Sequence, residues 1–284
     1  MNIIALGGVN LDILGQSDAA FAFGDSNPGR VRFRAGGVVH NIAAELVRLG
    51  HRVFLVSSLG SDHASVTVRA MCTAEGINTD LCIPGNSGPG VYLCLHGPDG
   101  DMIAAVNDMR GMESLRPEDV LPMIGRPDTD LMVMDCNLPE DTLFAAARAW
   151  ENRGPVFIDP VSAFKAKRCL KALPFIGAVK PNLTEARAMT GREKACDCAS
   201  ALLDMGAKRV FVSMGAAGVY YASDKERGVC PAIPLPEGTP LTGAGDALCA
   251  GLISGLAKGL SDAECAMEGV RCADARLRRA DAFL

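Results

Sequence analysis

The stretch DLMVMDCNLPEDTLFAAARAWENRGPVFIDP, residues 130–160, sets two short apolar runs on either side of a helix-length segment. Leu131–Asp135 and Val156–Asp159 are too short for helices and too evenly apolar for half-exposed strands. They are predicted to be buried strands. Residues 139–152 between them are predicted to form a helix. Such alternation argues for a parallel sheet covered by helices on both faces.

The pattern continues outward from there. Downstream, the spacing predicts helices near 165–173, 182–190 and 195–205, and strands at 177–179, 210–213, 219–222 and 229–233. Two helices close the chain, 244–258 and 261–279. Upstream, Ile3 to Leu6 reads as a strand stopped by Gly7-Gly8. A helix is predicted over 37–49, closed by Gly50. A strand at 53–57 and a helix from the Asp62 cap to about Glu75 follow. Two regions differ. Val31 and Phe33 alternate with Arg32 and Arg34, which suits a strand on a projecting flap. Short strand-like pieces at 81–83, 90–95 and 102–106 are joined by Gly, Pro, Asn and Asp, and read as an antiparallel meander. Pro98-Asp-Gly-Asp101 is a turn, because Pro presets φ and Gly accepts positive φ.

With 284 residues and 49% hydrophobic content, the chain can bury a large core without staples. A net charge of −5 gives no reason to expect a nucleic acid or an anionic membrane as partner. Eleven cysteines without a Cys-x-x-Cys pair read as reduced, mostly buried thiols, the habit of a cytoplasmic protein. The N-terminus lacks the basic and apolar regions of a signal peptide. The apolar low-charge segment 247–257 is too short to cross a bilayer and contains Gly251 and Gly255. No repeat or linker is visible, so one domain over 1–284 is expected.

Thr242-Gly-Ala-Gly-Asp246 opens a helix whose next residues are almost all apolar. The first turn of a helix offers free N–H groups and the positive end of the macrodipole. Gly243 and Gly245 let a ligand approach those amides, making an anion hole with Ala244 between them. Asp246 beside it is expected to be held ionised by the dipole and to take the proton of an attacking alcohol. The plainer alternative is an acid favoured in any first helical turn. The P-loop pattern is absent, and Leu248 breaks the dinucleotide fingerprint after Gly243-x-Gly245.

Five segments in order carry a resemblance: Gly7-Gly-Val-Asn-Leu-Asp12, Gly36-Gly-Val-Val-His-Asn41, Lys180-Pro-Asn-Leu-Thr-Glu185, Val212-Ser-Met-Gly-Ala-Ala-Gly218 and Thr242–Asp246. Together they resemble the ribokinase-like, phosphofructokinase-B type carbohydrate kinases. The resemblance implies a three-layer α/β fold with a mostly parallel central sheet flanked by helices. A small β-sheet lid at about 15–34 and 81–107 would close over the acceptor. It implies ATP-dependent phosphoryl transfer with Mg2+. Asp12, the Gly36-Gly37 turn and Asn41 would hold the acceptor; without the resemblance, Asp12 reads as a turn residue and Asn41 as part of an exposed helix flank. Asn182 and Glu185 would serve the metal, Glu185 through water, and otherwise read as a helix-start cap. Lys180 would lie near the nucleotide phosphates, and Ser213, Gly215, Gly218 and Thr242 along the nucleotide. A solvated lysine and a simple tight turn are the competing accounts. A homodimer through the lid is also implied.

Further stretches resemble one nucleoside-phosphorylating branch: 25–38, Val106-Asn-Asp-Met109, Asp135-Cys-Asn-Leu138, Asp159-Pro-Val-Ser-Ala-Phe164 and Val212-Ser-Met-Gly215. They imply a nucleoside with a C-glycosidic bond and an extra base N–H, for which Asn10, Asn107 and His40 are candidate contacts, with Asp108 a turn residue. A ribokinase, fructokinase or other nucleoside kinase is the sibling alternative. Two departures stand out. Pro240 replaces a residue that helps relatives bind a monovalent cation, which argues against K+. Only residues 247–284 follow Asp246, less than in relatives, so a weaker adenine pocket, or nucleoside binding without useful catalysis, is the other expectation.

Overall fold

Strand residues point alternately to opposite faces, so a strand buried on both sides must be apolar throughout. In the computed structural model, which describes residues 1–84, 88–125, 128–236 and 238–279, this is how the central sheet is built. In chain order the strands are β1 (Asn2–Leu6), β2 (Asn10–Ser17), β3 (Gly29–Gly36), β4 (Arg52–Val56), β5 (Gly90–His96), β6 (Met102–Asp108), β7 (Leu131–Asp135), β8 (Val156–Asp159), β9 (Ala178–Val179), β10 (Arg209–Ser213), β11 (Val219–Ser223) and β12 (Arg227–Cys230). The helices are α1 (Val38–Arg48), α2 (His63–Ala74), α3 (Arg110–Glu113), α4 (Pro117–Ile124), α5 (Glu140–Ala149), α6 (Leu183–Thr190), α7 (Ala195–Asp204), α8 (Ala244–Ala257) and α9 (Asp262–Arg278). Eight strands form the main sheet in the order β12-β11-β10-β9-β8-β7-β1-β4. From β4 to β10 every pairing is parallel, and β11 and β12 add an antiparallel edge.

Two cores lie on the two faces. Ile4, Leu6, Met132, Met134 and Ile158 belong to one, with α4 to α7. Their neighbours Ile3, Ala5, Leu131, Val133 and Phe157 belong to the other, with α1, α2, α8 and α9. Helix α8 is buried from Ala247 to Gly255, as its apolar composition requires. Asp62 caps α2 by accepting from the Ser65 N–H at 3.0 Å.

The second sheet has four strands, in the order β3-β2-β5-β6, and corrects the expected lid. It begins at Asn10, earlier than residue 15; β5 and β6 pair antiparallel as expected, and β5 also joins β2 in parallel. Residues 81–83 stay with the main body: Ile83 bridges Ser58, and Leu81, Cys82 and Ile83 are buried. Residues 85–87 of the expected lid and 280–284 of the expected domain and tail lie outside the described residues. The segment near 165–173 is a 3-10 helix, Ala166–Phe175, with Pro174 inside it. Helices α3 and α4 were not expected, although Pro117 at the first position of α4 is a helix-start signal. All eleven cysteines are free, eight of them buried. Among the described residues, no helix is long and apolar enough to cross a membrane.

Candidate active site

Helix α8 starts at Gly243, which holds a left-handed φ of 80° that suits glycine. The Ala244 N–H turns back to the Leu241 carbonyl. The N–H groups of Gly245 and Asp246 come too early in the helix for a partner one turn back. A cavity of about 170 Å³ opens there, lined by Asp246, Thr242, Gly243, Asn41, Arg34 and Arg276 among others. The Asn41 side-chain N–H donates to Asp246 Oδ2 at 2.8 Å. Burial, with Asp159 beside it, pushes the Asp246 carboxyl up to about 7, against the Asn41 hydrogen bond and the Lys180 charge. The expectation that the dipole alone keeps it ionised is therefore corrected: desolvation outweighs the helix end here.

The small sheet supplies a second set of groups. Its register places Arg34 opposite Asp12, Asp12 opposite Tyr92 and Tyr92 opposite Asn107. Side-chain alternation puts all four on one face. Arg34 Nε donates to Asp12 Oδ2 at 3.3 Å. Burial raises the Asp12 carboxyl above its ordinary range, and the Arg34 charge opposes this. A Cβ on Gly36 would stand 2.2 Å from Asp12 Oδ2, and one on Gly37 would stand 2.4 Å from the Gly8 carbonyl oxygen. The glycine pair is thus required by close approach. Asn10 Oδ1 is buried and accepts no hydrogen bond from any described residue. Asn107 is exposed on β6 and is not among the residues lining the cavity. Asp108 is tied to Arg110, including a contact from its backbone N–H, which is the turn role expected. His40 is buried against Glu75 and Asn41 and lines the same cavity as Asp246.

The third set lies at the C-terminal ends of the parallel strands, where open α/β sheets place their ligands. Asp135 ends β7 and accepts from the backbone N–H groups of Gly8, Val39 and Asn137 and from the Asn137 side chain. Asp159 ends β8 and pairs with Lys180 at 3.1 Å. Burial would lower the Lys180 ammonium, but Asp159, Cys249 and Glu185 hold it above its ordinary range. A Cβ on Gly245 would meet only Lys180 Nζ, at 3.6 Å, so the start of α8 is open toward this ammonium. That cradle fits a phosphate.

Asn182 and Glu185 form a reciprocal cap: Asn182 Oδ1 accepts from the Glu185 N–H at 2.9 Å, and Glu185 Oε2 from the Asn182 N–H at 2.8 Å. A second bond joins the Asn182 amide to Glu185 Oε1 at 2.7 Å. Among the described residues there is no cluster of three or more metal-binding side chains. Asn182 and Glu185 offer side-chain oxygens of the kind that suit the water shell of a magnesium ion carried on nucleotide phosphates. Ser213 bridges Asn182 across the strand ends, while Gly215 and Gly218 close a tight turn in which the Gly218 N–H donates to the Gly215 carbonyl.

Sequence reasoning missed Arg34, Asp135, Asp159 and Lys165, whose ammonium donates to Asn137 Oδ1 at 2.7 Å. The available signal was an acid closing each of two parallel strands.

Comparison with known proteins places this geometry. The family described as pfkB family carbohydrate kinase matches residues 2–282. A pseudouridine kinase of Escherichia coli strain K12 is 34% identical over 275 residues, covering 92% of this chain and 86% of that protein. A carbohydrate kinase from Agrobacterium tumefaciens superposes with a TM-score of 0.88 at 28% identity, covering 99% of this chain and 92% of the other. The ribokinase of Thermotoga maritima superposes with a TM-score of 0.85 at 20% identity over 99% and 94% of the two chains, and shares the fold.

Proposed function

The chain belongs to the pfkB family of carbohydrate kinases, and on that footing we propose that it phosphorylates the 5′-hydroxyl of pseudouridine with ATP. One observation carries the chemistry: Asp246, held by Asn41, opens onto the same cavity as the amide-rich start of α8. Phosphoryl transfer through a loose transition state needs positioning and charge stabilisation more than a strong base. Asp246 orients the acceptor hydroxyl and takes its proton as the new O–P bond forms and the bond to the leaving diphosphate breaks. A base whose proton affinity lies close to neutrality suits that task. The Ala244 N–H is taken by the Leu241 carbonyl, so the amides at Gly243, Gly245 and Asp246, with Lys180 facing Gly245, receive the charge of the transferring group. Asn182 and Glu185 would hold the water shell of a magnesium ion bound with the nucleotide, which would further neutralise the phosphates. Thr242, Ser213, Gly215 and Gly218 border the nucleotide.

On the acceptor side, Asp12 takes the ribose hydroxyls, with Gly36, Gly37 and Asn41 against the other edge of the sugar. Asn10 Oδ1 is an acceptor buried without a donor, which is the group an added N–H on the base requires. Asn107 approaches the base when the small sheet closes and excludes water. The outer face of that sheet presents Val31, Phe33, Leu93 and Val106 to solvent, a surface suited to a second copy of the chain.

The deciding experiment is a phosphorylation assay with Mg-ATP across pseudouridine, uridine, cytidine, ribose and fructose. Pseudouridine is expected to give the highest kcat/KM. A tenfold preference for any other acceptor replaces the acceptor assignment, and binding without product removes the kinase assignment.

A further inference from the structure

We propose that His40 and Glu75 are positioning residues that lock the Asn41 side-chain amide so that its N–H, and not its oxygen, faces Asp246. The proposal rests on Asp246 as the base. Four side chains from three helices form a continuous chain. Glu75 Oε2 lies 2.9 Å from His40 Nε2, an ion-pair contact at the end of α2. His40 Nδ1 lies 3.2 Å from Asn41 Oδ1. Asn41 Nδ2 lies 2.8 Å from Asp246 Oδ2 at the start of α8.

The ends of a side-chain amide have nearly the same shape and opposite polarity, so something else must choose between them. Asn41 has that choice made at its oxygen. A neutral imidazole carries one N–H and one acceptor nitrogen. Here both ring nitrogens face acceptors, Glu75 on one side and Asn41 Oδ1 on the other. The Glu75 contact is an ion pair outside hydrogen-bond alignment, so the protonated ring gives its charge to Glu75 and its Nδ1–H to Asn41 Oδ1. The titratable groups around it are Cys72 and Glu75 from α2 and Asp12 from β2. Burial works against the charge, but contacts with Cys72 and Glu75 reverse this and push the ring up to about 10. The bond that acts on Asn41 is therefore the one at Nδ1, where the ring N–H meets the amide oxygen.

The consequence falls on Asp246. Burial, Asp159 and Asp135 favour its protonated form, the Asn41 N–H and Lys180 oppose them, and Arg34 and Arg276 line the same cavity. If the amide flipped, its oxygen would meet a carboxylate oxygen, and the base would hold its proton more tightly. The chain therefore keeps Asp246 ready to accept a proton from the acceptor hydroxyl.

The test compares pH profiles of kcat for wild type, Glu75→Ala and His40→Ala, with thermal melts of each. Glu75 is exposed at a helix end, so its variant is expected to fold. The acid limb is expected to move up by roughly half to one pH unit in both variants. A limb at the wild-type pH in folded Glu75→Ala, whatever the loss in kcat, overturns the proposal. Asp246→Asn separates the two layers. If it retains turnover, the base assignment falls and takes the relay with it. If it is inactive while the limb stays put, the relay alone falls.

Discussion

Lys180 Nζ and Asp159 Oδ2 stand 3.1 Å apart with both side chains about 5% exposed, at the point where β8 and β9 end beneath helix α8. Asp159 also accepts from the Val161 N–H at 2.7 Å and from the Cys249 thiol at 3.2 Å. Lys180 depends far more on Asp159 than the reverse. Removing one partner of a buried pair costs about 3–5 kcal/mol because the other charge is stranded. Asp159→Asn is expected near the lower end of that range, and Lys180→Met is expected to cost less, since Asp159 keeps two donors. For nucleotide affinity the order reverses, because Lys180 faces Gly245. Urea unfolding and ATP titration calorimetry on the same two variants check both orders.

Asp246 is expected to trade stability for function. Its proton affinity in the fold is about 7 against an ordinary 3.8. Between these values the unfolded chain has released its proton while the native state holds it, so stability falls as pH rises through this window. Asp246→Asn removes that cost. The variant should lose most turnover yet exceed wild type in stability at pH 8 by roughly 1–2 kcal/mol, discounted because the residue is partly open to the cleft. Below about pH 4 the difference should vanish. Urea melts at both pH values test the sign. A variant that is less stable at pH 8 would show the carboxylate to be better solvated than the geometry indicates.

The central sheet was legible because its strands are buried on both faces. Leu131–Asp135 and Val156–Asp159 have no polar position until they end, so their boundaries showed directly. The start of α8 was legible for the same reason, with glycines followed by an apolar run. Strand β2 was not, since Asn10, Asp12 and Gln16 interrupt it and Gly15 breaks its alternation. Its parallel partner β5 lies far along the chain, and register between distant strands leaves no local mark. Site residues show the same division. Asn41 and Asp246 were each visible in a motif, but their bond spans 205 positions. His40 was visible as a ring beside Asn41. Its partner Glu75 had no signal beyond closing a helix.

Asp12 is nearly buried, and its described salt-bridge partner is Arg34, which is 40% exposed and reaches across from β3. A carboxylate in that setting has acceptor capacity left for hydroxyl groups. Hydrogen bonds to a charged group contribute about 1.5–3 kcal/mol each. Asp12→Ala should therefore raise the acceptor KM by about tenfold or more while the KM for ATP moves less than about threefold. Arg34→Ala should show a smaller change in the same direction, because it acts through Asp12. Steady-state kinetics with each substrate varied in turn decide this. A change confined to the ATP KM would remove Asp12 from the acceptor side.

The exposed row Phe33, Leu93 and Val106 runs across three strands of the small sheet, with Ile13 completing it between Phe33 and Leu93. Phe33 is 55% and Val106 66% exposed. Contiguous apolar surface of this kind is uncommon on monomers. Phe33→Asp is expected to shift a dimer to monomer in sedimentation velocity. A wild-type chain that sediments as a monomer at tens of micromolar would refute the assignment of this face to a second copy.

Turnover is expected to be independent of potassium, and the reason lies beside Gly243. Pro240 has no side-chain oxygen, so the segment before α8 offers no side-chain cation ligand there. On the other side, Arg276 Nε would lie 3.2 Å from a Cβ placed on Gly243, and Glu45 holds the guanidinium from a distance of 3.7 Å. A fixed positive charge thus already stands next to the residue that opens the anion hole. A monovalent cation arriving nearby would be repelled by it. Replacing KCl with NaCl or choline chloride at constant ionic strength should change kcat by less than about twofold, an effect worth under about 0.4 kcal/mol. Arg276→Ala should lower kcat, because it strips the charge from the start of α8 while leaving the helix-capping glycine in place. Activation by potassium beyond fivefold in wild type would mean that another group, and not the one at position 240, holds the ion.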